Sequence, residues 1–135
     1  MSETYISAEL RRRVAARASR RCEYCLIHEQ DTFFGCQVDH IISEKHGGLT
    51  TEDNLAYACA FCNRNKGSDL GTLDAEGRLV RLFDPRRDAW SDHFAFDGLS
   101  IGGRSPKGEA TVRLLGFNDA ARIQERRMTT LQGHD

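Results

Sequence analysis

Four of the five cysteines stand in two C-x-x-C pairs, Cys22-Glu23-Tyr24-Cys25 and Cys59-Ala60-Phe61-Cys62. That spacing lets two sulfurs of one turn face a single ion, and zinc in structural sites takes four tetrahedral thiolates. One ion shared by both pairs would pin the ends of segment 26–58 together, which sharply limits the folds open to the chain. The competing reading, a redox dithiol, lacks the β-α-β surroundings it needs around either pair. A disulfide framework fits poorly as well. The N-terminus, Met1-Ser-Glu-Thr-Tyr, carries no basic stretch followed by an apolar one, so the chain reads as cytoplasmic. Cys36, the fifth cysteine, reads as a small buried hydrophobe.

Hydrophobic residues make up 39% of the 135, enough for the modest core of one domain. No apolar run approaches the roughly 20 residues of a membrane span, so no membrane partner is expected. The formal net charge of −1 gives no global basic signature for nucleic acid. Four thiolates around one dication make the balance more negative still. Any contact with DNA must therefore come from local patches.

Segment 7–20 is expected to be a helix capped by Ser7, with Leu10, Val14 and Ala18 as its apolar stripe. Arg11, Arg12, Arg13, Arg17, Arg20 and Arg21 make it basic, either as a solvated face or as a phosphate-contacting one, the latter favoured by its position beside Cys22. Cys22–Cys25 forms a tight knuckle. Segment 33–42, rich in aromatic and β-branched residues, reads as a strand. A loop over 43–53 bends at Gly47-Gly48, a second strand covers 55–58, and a short helix over 60–66 stops at Gly67. Beyond it, 71–77 is turn-rich and 77–83 suggests a strand. Asp97-Gly98 marks a hairpin between 93–96 and 99–101. Ser105-Pro106 starts a helix that ends before Gly116, and Asn118 caps a last helix reaching about 131. The expected division is a core over 1–67 with an α/β extension over 68–135. Trp90 and His93 are most simply core packing of that extension.

The residues able to do chemistry crowd between the cysteine pairs. Asp39 and His40 are adjacent on one strand, and ideal alternation points them to opposite faces. Joint service at one site calls for a twist or bulge there. Asn63 follows Cys62 directly, so metal at the cysteines would anchor it. An Asp carboxylate and an Asn carbonyl are hard oxygen donors suited to Mg2+ or Mn2+, and neutral imidazole beside such an ion is a natural general base. Taken singly, Asp39 reads more readily as a turn cap, and Asn54 as satisfying a turn, than either does as a catalytic group. His46, before Gly47-Gly48, either touches substrate or shapes the loop. Arg64 and Lys66 either meet phosphate or are merely solvated.

Read in order, D-H-I-I, H-G-G, D-N-L and C-x-x-C-N-x-x-K-G resemble the HNH endonuclease family, and the flanking C-x-x-C pairs match its zinc-bearing branch. The resemblance covers about 20–67. It implies an α+β chain with a ββα-metal core, a four-cysteine zinc knuckle, an N-terminal basic helix and a small C-terminal hairpin and helix extension. It also implies hydrolysis of DNA, most simply double-stranded, to 5′-phosphate and 3′-hydroxyl ends. His40 would be the general base, and Asp39 and Asn63 would hold a catalytic Mg2+ or Mn2+. Asn54 would brace the loop and orient His40. Cys22, Cys25, Cys59 and Cys62 would hold structural Zn2+. Arg20, Arg21, His46, Arg64 and Lys66 are the expected nucleic-acid contacts, and no small-molecule cofactor is expected. The alternative is a non-catalytic zinc module that binds nucleic acid or protein through a decayed site.

Overall fold

The computed structural model describes residues 5–131. Helix α1 (Ala8–Arg17) begins at Ser7, whose hydroxyl accepts the Leu10 amide at 3.1 Å. Strands β1 (Cys36–His40) and β2 (Leu55–Cys59) pair antiparallel, and helix α2 (Ala60–Lys66) follows β2 without a break. Together they form the ββα unit of an α+β, ββα-metal fold. Every residue of β2 is buried, because this two-stranded sheet is covered on both faces. On one face Leu55 and Tyr57 pack with Val14, Ala15 and Ile6, so the expected stripe of α1 is the one that docks. On the other, Ala56 and Ala58 join the cysteine knuckle and Ile41.

The extension contributes to that second core: Phe83, Phe94, Ile101, Leu115 and Phe117 belong to the same buried cluster as the four paired cysteines. Strands β3 (Gly71–Leu73) and β4 (Leu79–Arg81) form one hairpin. Helix α3 (Trp90–His93) leads into β5 (Phe94–Asp97), which pairs with β6 (Ser100–Gly103). Helix α4 (Pro106–Leu115) lies on β6 at a separation that only glycine permits. A Cβ on Gly103 would meet the Glu109 amide nitrogen at 2.4 Å, and one on Gly108 the His93 carbonyl oxygen at 2.0 Å. Helix α5 (Ala120–Leu131) is the last element of the described residues. Trp90 and His93 pack as expected: the indole stacks near Phe94 and Phe96, and the imidazole bonds Ser105 at 2.7 Å.

Several expectations are corrected. The first strand starts at Cys36 rather than 33, because Gly35 at φ 72° interrupts the extended run and leaves Phe33 and Phe34 outside it. The turn-rich 71–77 stretch opens with strand β3, and Asp74 folds the turn by accepting the Glu76 and Arg78 amides. The β5–β6 loop is Gly98-Leu99, since the positive φ falls on its first residue and Asp97 still pairs with Ser100. Asn118 does not cap α5. Its amide is spent on the backbone of Ile101, accepting at 2.8 Å and donating at 2.9 Å, which ties α5's entry to β6. Among the described residues, no helix is long and apolar enough to cross a membrane.

Candidate active site and metal centre

The two C-x-x-C pairs meet. Cys22, Cys25, Cys59 and Cys62 are all buried, with their sulfurs within 4.8 Å of one another. Cys25 Sγ and Cys59 Sγ lie 3.8 Å apart. A tetrahedron built on Zn–S bonds of about 2.3 Å has edges of about 3.8 Å, so the donor set suits such an ion in number, softness and size. Each knuckle is shaped by its own backbone: the Cys25 amide donates to Cys22 Sγ at 3.4 Å and the Cys62 amide to Cys59 Sγ at 3.5 Å. The second pair works because Cys59 is also the N-cap of α2.

A fifth residue reaches this centre from the far end of the chain. Arg122 of α5 is 1% exposed and donates to Cys62 Sγ at 2.9 Å, and to the carbonyls of Leu115 and Gly116. Burial alone would lower its pKa, but the neighbouring Cys62, Cys25 and Cys59 thiolates outweigh that and raise it. Four thiolates leave a divalent ion with excess negative charge, and a buried guanidinium offsets part of it. Nothing in the spacing of the cysteines points to Arg122. Cys36 stays out of the cluster, half-buried between the two cores, with burial pushing its thiol up to about 12.

The remaining candidates line the end of the β1–β2 ladder. Pairing is regular through His40, with Asp39 opposite Ala56 and His40 opposite Leu55, so no bulge turns the two side chains to one face. Cys36 and Val38 pack towards α1, which sends Gln37 and Asp39 to the α2 side. There Asn63 Nδ2 donates to Gln37 Oε1 at 3.2 Å, which leaves the Asn63 amide oxygen uncommitted. The Asp39 carboxylate has no hydrogen bond or ion pair with a described residue. Two hard oxygen donors, of the kind a small divalent cation takes, are thus left without partners among the described residues. The His40 ring goes to the loop instead, with Nε2 at 2.8 Å from Thr50 Oγ1. No hydrogen bond joins Asp39, His40 and Asn63 to one another among the described residues. Thr50 escaped the sequence reading because nothing in Leu-Thr-Thr distinguishes it from any other loop hydroxyl.

Asn54 ties this loop down. Its side chain accepts the Ile42 amide at 3.0 Å and donates to the carbonyls of Ile42 (2.9 Å) and Leu49 (2.8 Å), closing the loop just beyond His40. Arg17 of α1 holds the same corner, donating to the Glu52 and Leu55 carbonyls at 2.7 and 2.6 Å. The second loop glycine completes it. A Cβ on Gly48 would sit 1.7 Å from the Ile42 carbonyl oxygen and 2.8 Å from Asn54 Nδ2. Gly48→Ala is therefore expected to push the loop off its brace, costing roughly 1–3 kcal/mol through the displaced hydrogen bonds. Thermal melting of the purified variant checks it.

The basic candidates divide. Arg64 and His46 are exposed. Arg20 pairs with Glu29, and Arg21 donates to the Leu26 carbonyl. On α1, Arg13 pairs with Glu9 and Glu52. Lys66 is a correction: it is 4% exposed, and its Nζ donates inward to the Ile41 carbonyl at 2.7 Å. Burial lowers its pKa, against the opposing charges of Asp39, Asp69 and Asp84. It braces the turn after His40 and does not reach out to phosphate. Lys66→Ala is expected to lose about 1–3 kcal/mol of stability, by orphaning the Ile41 carbonyl. It should leave the salt dependence of any DNA binding unchanged, because a lysine that neutralises no phosphate releases no counterion. Denaturant melts and a salt titration read both.

Cavities of about 370 and 230 Å3 flank the first knuckle, but neither is lined by Asp39, His40 or Asn63. Asp39, His40 and Asn63 are partly exposed at the end of the ladder. Residues 22–69 match the family model described as HNH endonuclease. No curated protein and no solved structure matches the chain.

Proposed function

We propose that this chain, whose segment 22–69 matches the HNH endonuclease family model, is a metal-dependent endonuclease that hydrolyses phosphodiester bonds of double-stranded DNA to 5′-phosphate and 3′-hydroxyl ends. The observation that carries the reading is the pair of uncommitted oxygen donors, Asp39 and Asn63, one residue from a histidine held by a single ring nitrogen. Asp39 and Asn63 would hold a Mg2+ or Mn2+ ion, which when bound supplies positive charge at a scissile phosphate oxygen and at the leaving 3′ oxygen. His40 takes the proton of the attacking water. The tautomer in which His40 Nε2–H donates to Thr50 would leave the lone pair on Nδ1 and make that atom the base. Asp39 and His40 leave opposite faces of β1, so serving one phosphate requires the strand end to twist when DNA binds. Asn54, Gly48 and Lys66 hold the turn that fixes this geometry. Zn2+ at the four cysteines anchors Asn63 through its neighbour Cys62. Arg64 and His46 are the exposed groups that meet the DNA backbone, with Arg20 and Arg21 nearer the knuckle.

The test is plasmid nicking against Mg2+ and Mn2+ concentration. Asn63→Ala should raise the concentration needed for half-maximal rate while zinc content and melting stay put, because soft thiolates and hard oxygens define separate sites. Asp39→Asn should do so more severely, since it also removes a negative charge facing the cation. Wild-type metal dependence in both variants would place the ion elsewhere. Absence of nicking by the wild-type chain would leave the non-catalytic reading.

A further inference from the structure

Large aromatic side chains at the surface call for a reason, and this chain has a row of them beside the proposed site. Phe33 is 54% and Phe34 69% exposed. Their rings meet edge to face with centroids 6.4 Å apart, and Phe34 meets Phe61 of α2 at 6.1 Å. The exposed Arg64, one turn further along α2, lies 5.2 Å from the Phe61 ring centroid. Two routes place this ridge next to the catalytic edge. Asn63 sits between Phe61 and Arg64 on α2, and Gln37, three residues after Phe34, is hydrogen-bonded to Asn63.

The ridge is held in place. Glu125, fully buried, accepts the Phe33 amide at 2.8 Å and the Thr32 hydroxyl at 2.7 Å. The buried Arg122 supports Phe61 from the metal centre, 5.1 Å from its ring. Asp31 and Glu125, the carboxylates beside the rings in sequence or contact, are buried, whereas Arg64 is exposed beside Phe61.

Exposed rings interleaved with a guanidinium offer two planar surfaces for stacking and one charge for a phosphate, the chemistry of unpaired nucleobases on a polyanionic strand. A paired base has its faces covered by its neighbours in the stack and cannot take such a partner without leaving the duplex. We propose that Phe33, Phe34 and Arg64 form a stacking platform for unpaired bases next to the cut. The proposal rests on the nuclease reading above and narrows its substrate to duplex DNA with single-stranded character beside the scissile bond.

Binding without cleavage tests it directly. The His40→Ala chain, in buffer without added Mg2+ or Mn2+, is titrated by fluorescence anisotropy against a blunt duplex and against the same duplex with a single-stranded extension. The extended duplex should bind about tenfold more tightly, and Phe34→Ala in the same background should remove that advantage while leaving blunt-duplex affinity unchanged, in keeping with the loss of one base–aromatic stack. Phe34→Trp, which keeps a stacking face, should restore the advantage, and this separates stacking from any disturbance of the loop. Equal loss on both duplexes, or no loss, overturns the platform. So does a sedimentation experiment in which Phe34→Ala turns a dimer into a monomer, because the ridge would then be a self-contact. Binding of neither duplex by any variant would sink the nucleic-acid reading itself. An intact Phe34 effect with cleavage undiminished in His40→Ala, assayed with Mg2+, would remove only the catalytic assignment.

Discussion

Replacing His40 by alanine should lower the nicking rate by roughly 10²–10⁴-fold, the usual cost of losing a positioned general base. The fold should survive. His40 is the last residue of β1, partly exposed, and among the described residues its side chain bonds only Thr50. The braces around it do not pass through the imidazole: Asn54 grips Ile42 and Leu49, and Lys66 grips Ile41, by way of their backbones. DNA affinity and metal content should therefore stay near wild type, and the defect should appear in the chemical step. A nicking time course at saturating DNA and Mg2+ reads this, alongside anisotropy and zinc analysis of the same preparation. Wild-type rates from a His40→Ala chain free of contaminating nuclease would remove His40 from the mechanism.

Loss of a thiolate should have a larger effect on the molecule itself. Cys59→Ser is expected to abolish tight zinc binding and cooperative melting of the ββα unit. Zinc in four-thiolate peptide sites contributes on the order of 10–16 kcal/mol, as much as the whole stability of an ordinary domain. Two features deepen the loss here. Cys59 ends β2 and caps α2, so its sulfur is a ligand and a helix terminus at once. Arg122, almost wholly buried, would keep its charge beside a depleted set of thiolates, and an unpaired buried charge is costly to retain. The same argument carries the damage into the extension, because Phe94, Ile101, Leu115 and Phe117 share the cluster that the cysteines nucleate. Circular dichroism melts with elemental analysis provide the measurement. A Cys59→Ser protein with unchanged melting and no zinc would refute a structural metal centre.

The two experiments bear on different parts of one arrangement. The thiolates fix α2 against the β1–β2 ladder, and that relationship sets Asn63 beside Gln37 on the same side as Asp39. On the proposed reading, chemistry at the edge would depend on the thiolate cluster although that cluster takes no part in it. The converse does not hold, so His40→Ala should leave zinc where it is.

What could be read from the sequence was whatever short-range chemistry decides. C-x-x-C spacing gathers two sulfurs in one turn, Ser7 and Ser105 cap their helices, and Gly67 and Gly116 end theirs. Each depends on partners within a turn or a hairpin, so the residue type nearly determines the outcome. The positions of Arg122, Lys66, Phe34 and Thr50 were settled only by the tertiary structure. Lys66 looks like a surface cation in N-R-N-K-G, yet α2 sits so close to the turn after β1 that its amine reaches the Ile41 carbonyl. Phe34 looks like strand core, yet the strand begins only after Gly35 and the ring stays outside it. Arg122 joins cysteines some sixty residues away, a distance along the chain over which no local preference operates. Such placements turn on which faces the packed elements present to one another, and that is decided when distant segments bury their apolar surface together, after every local preference has been met.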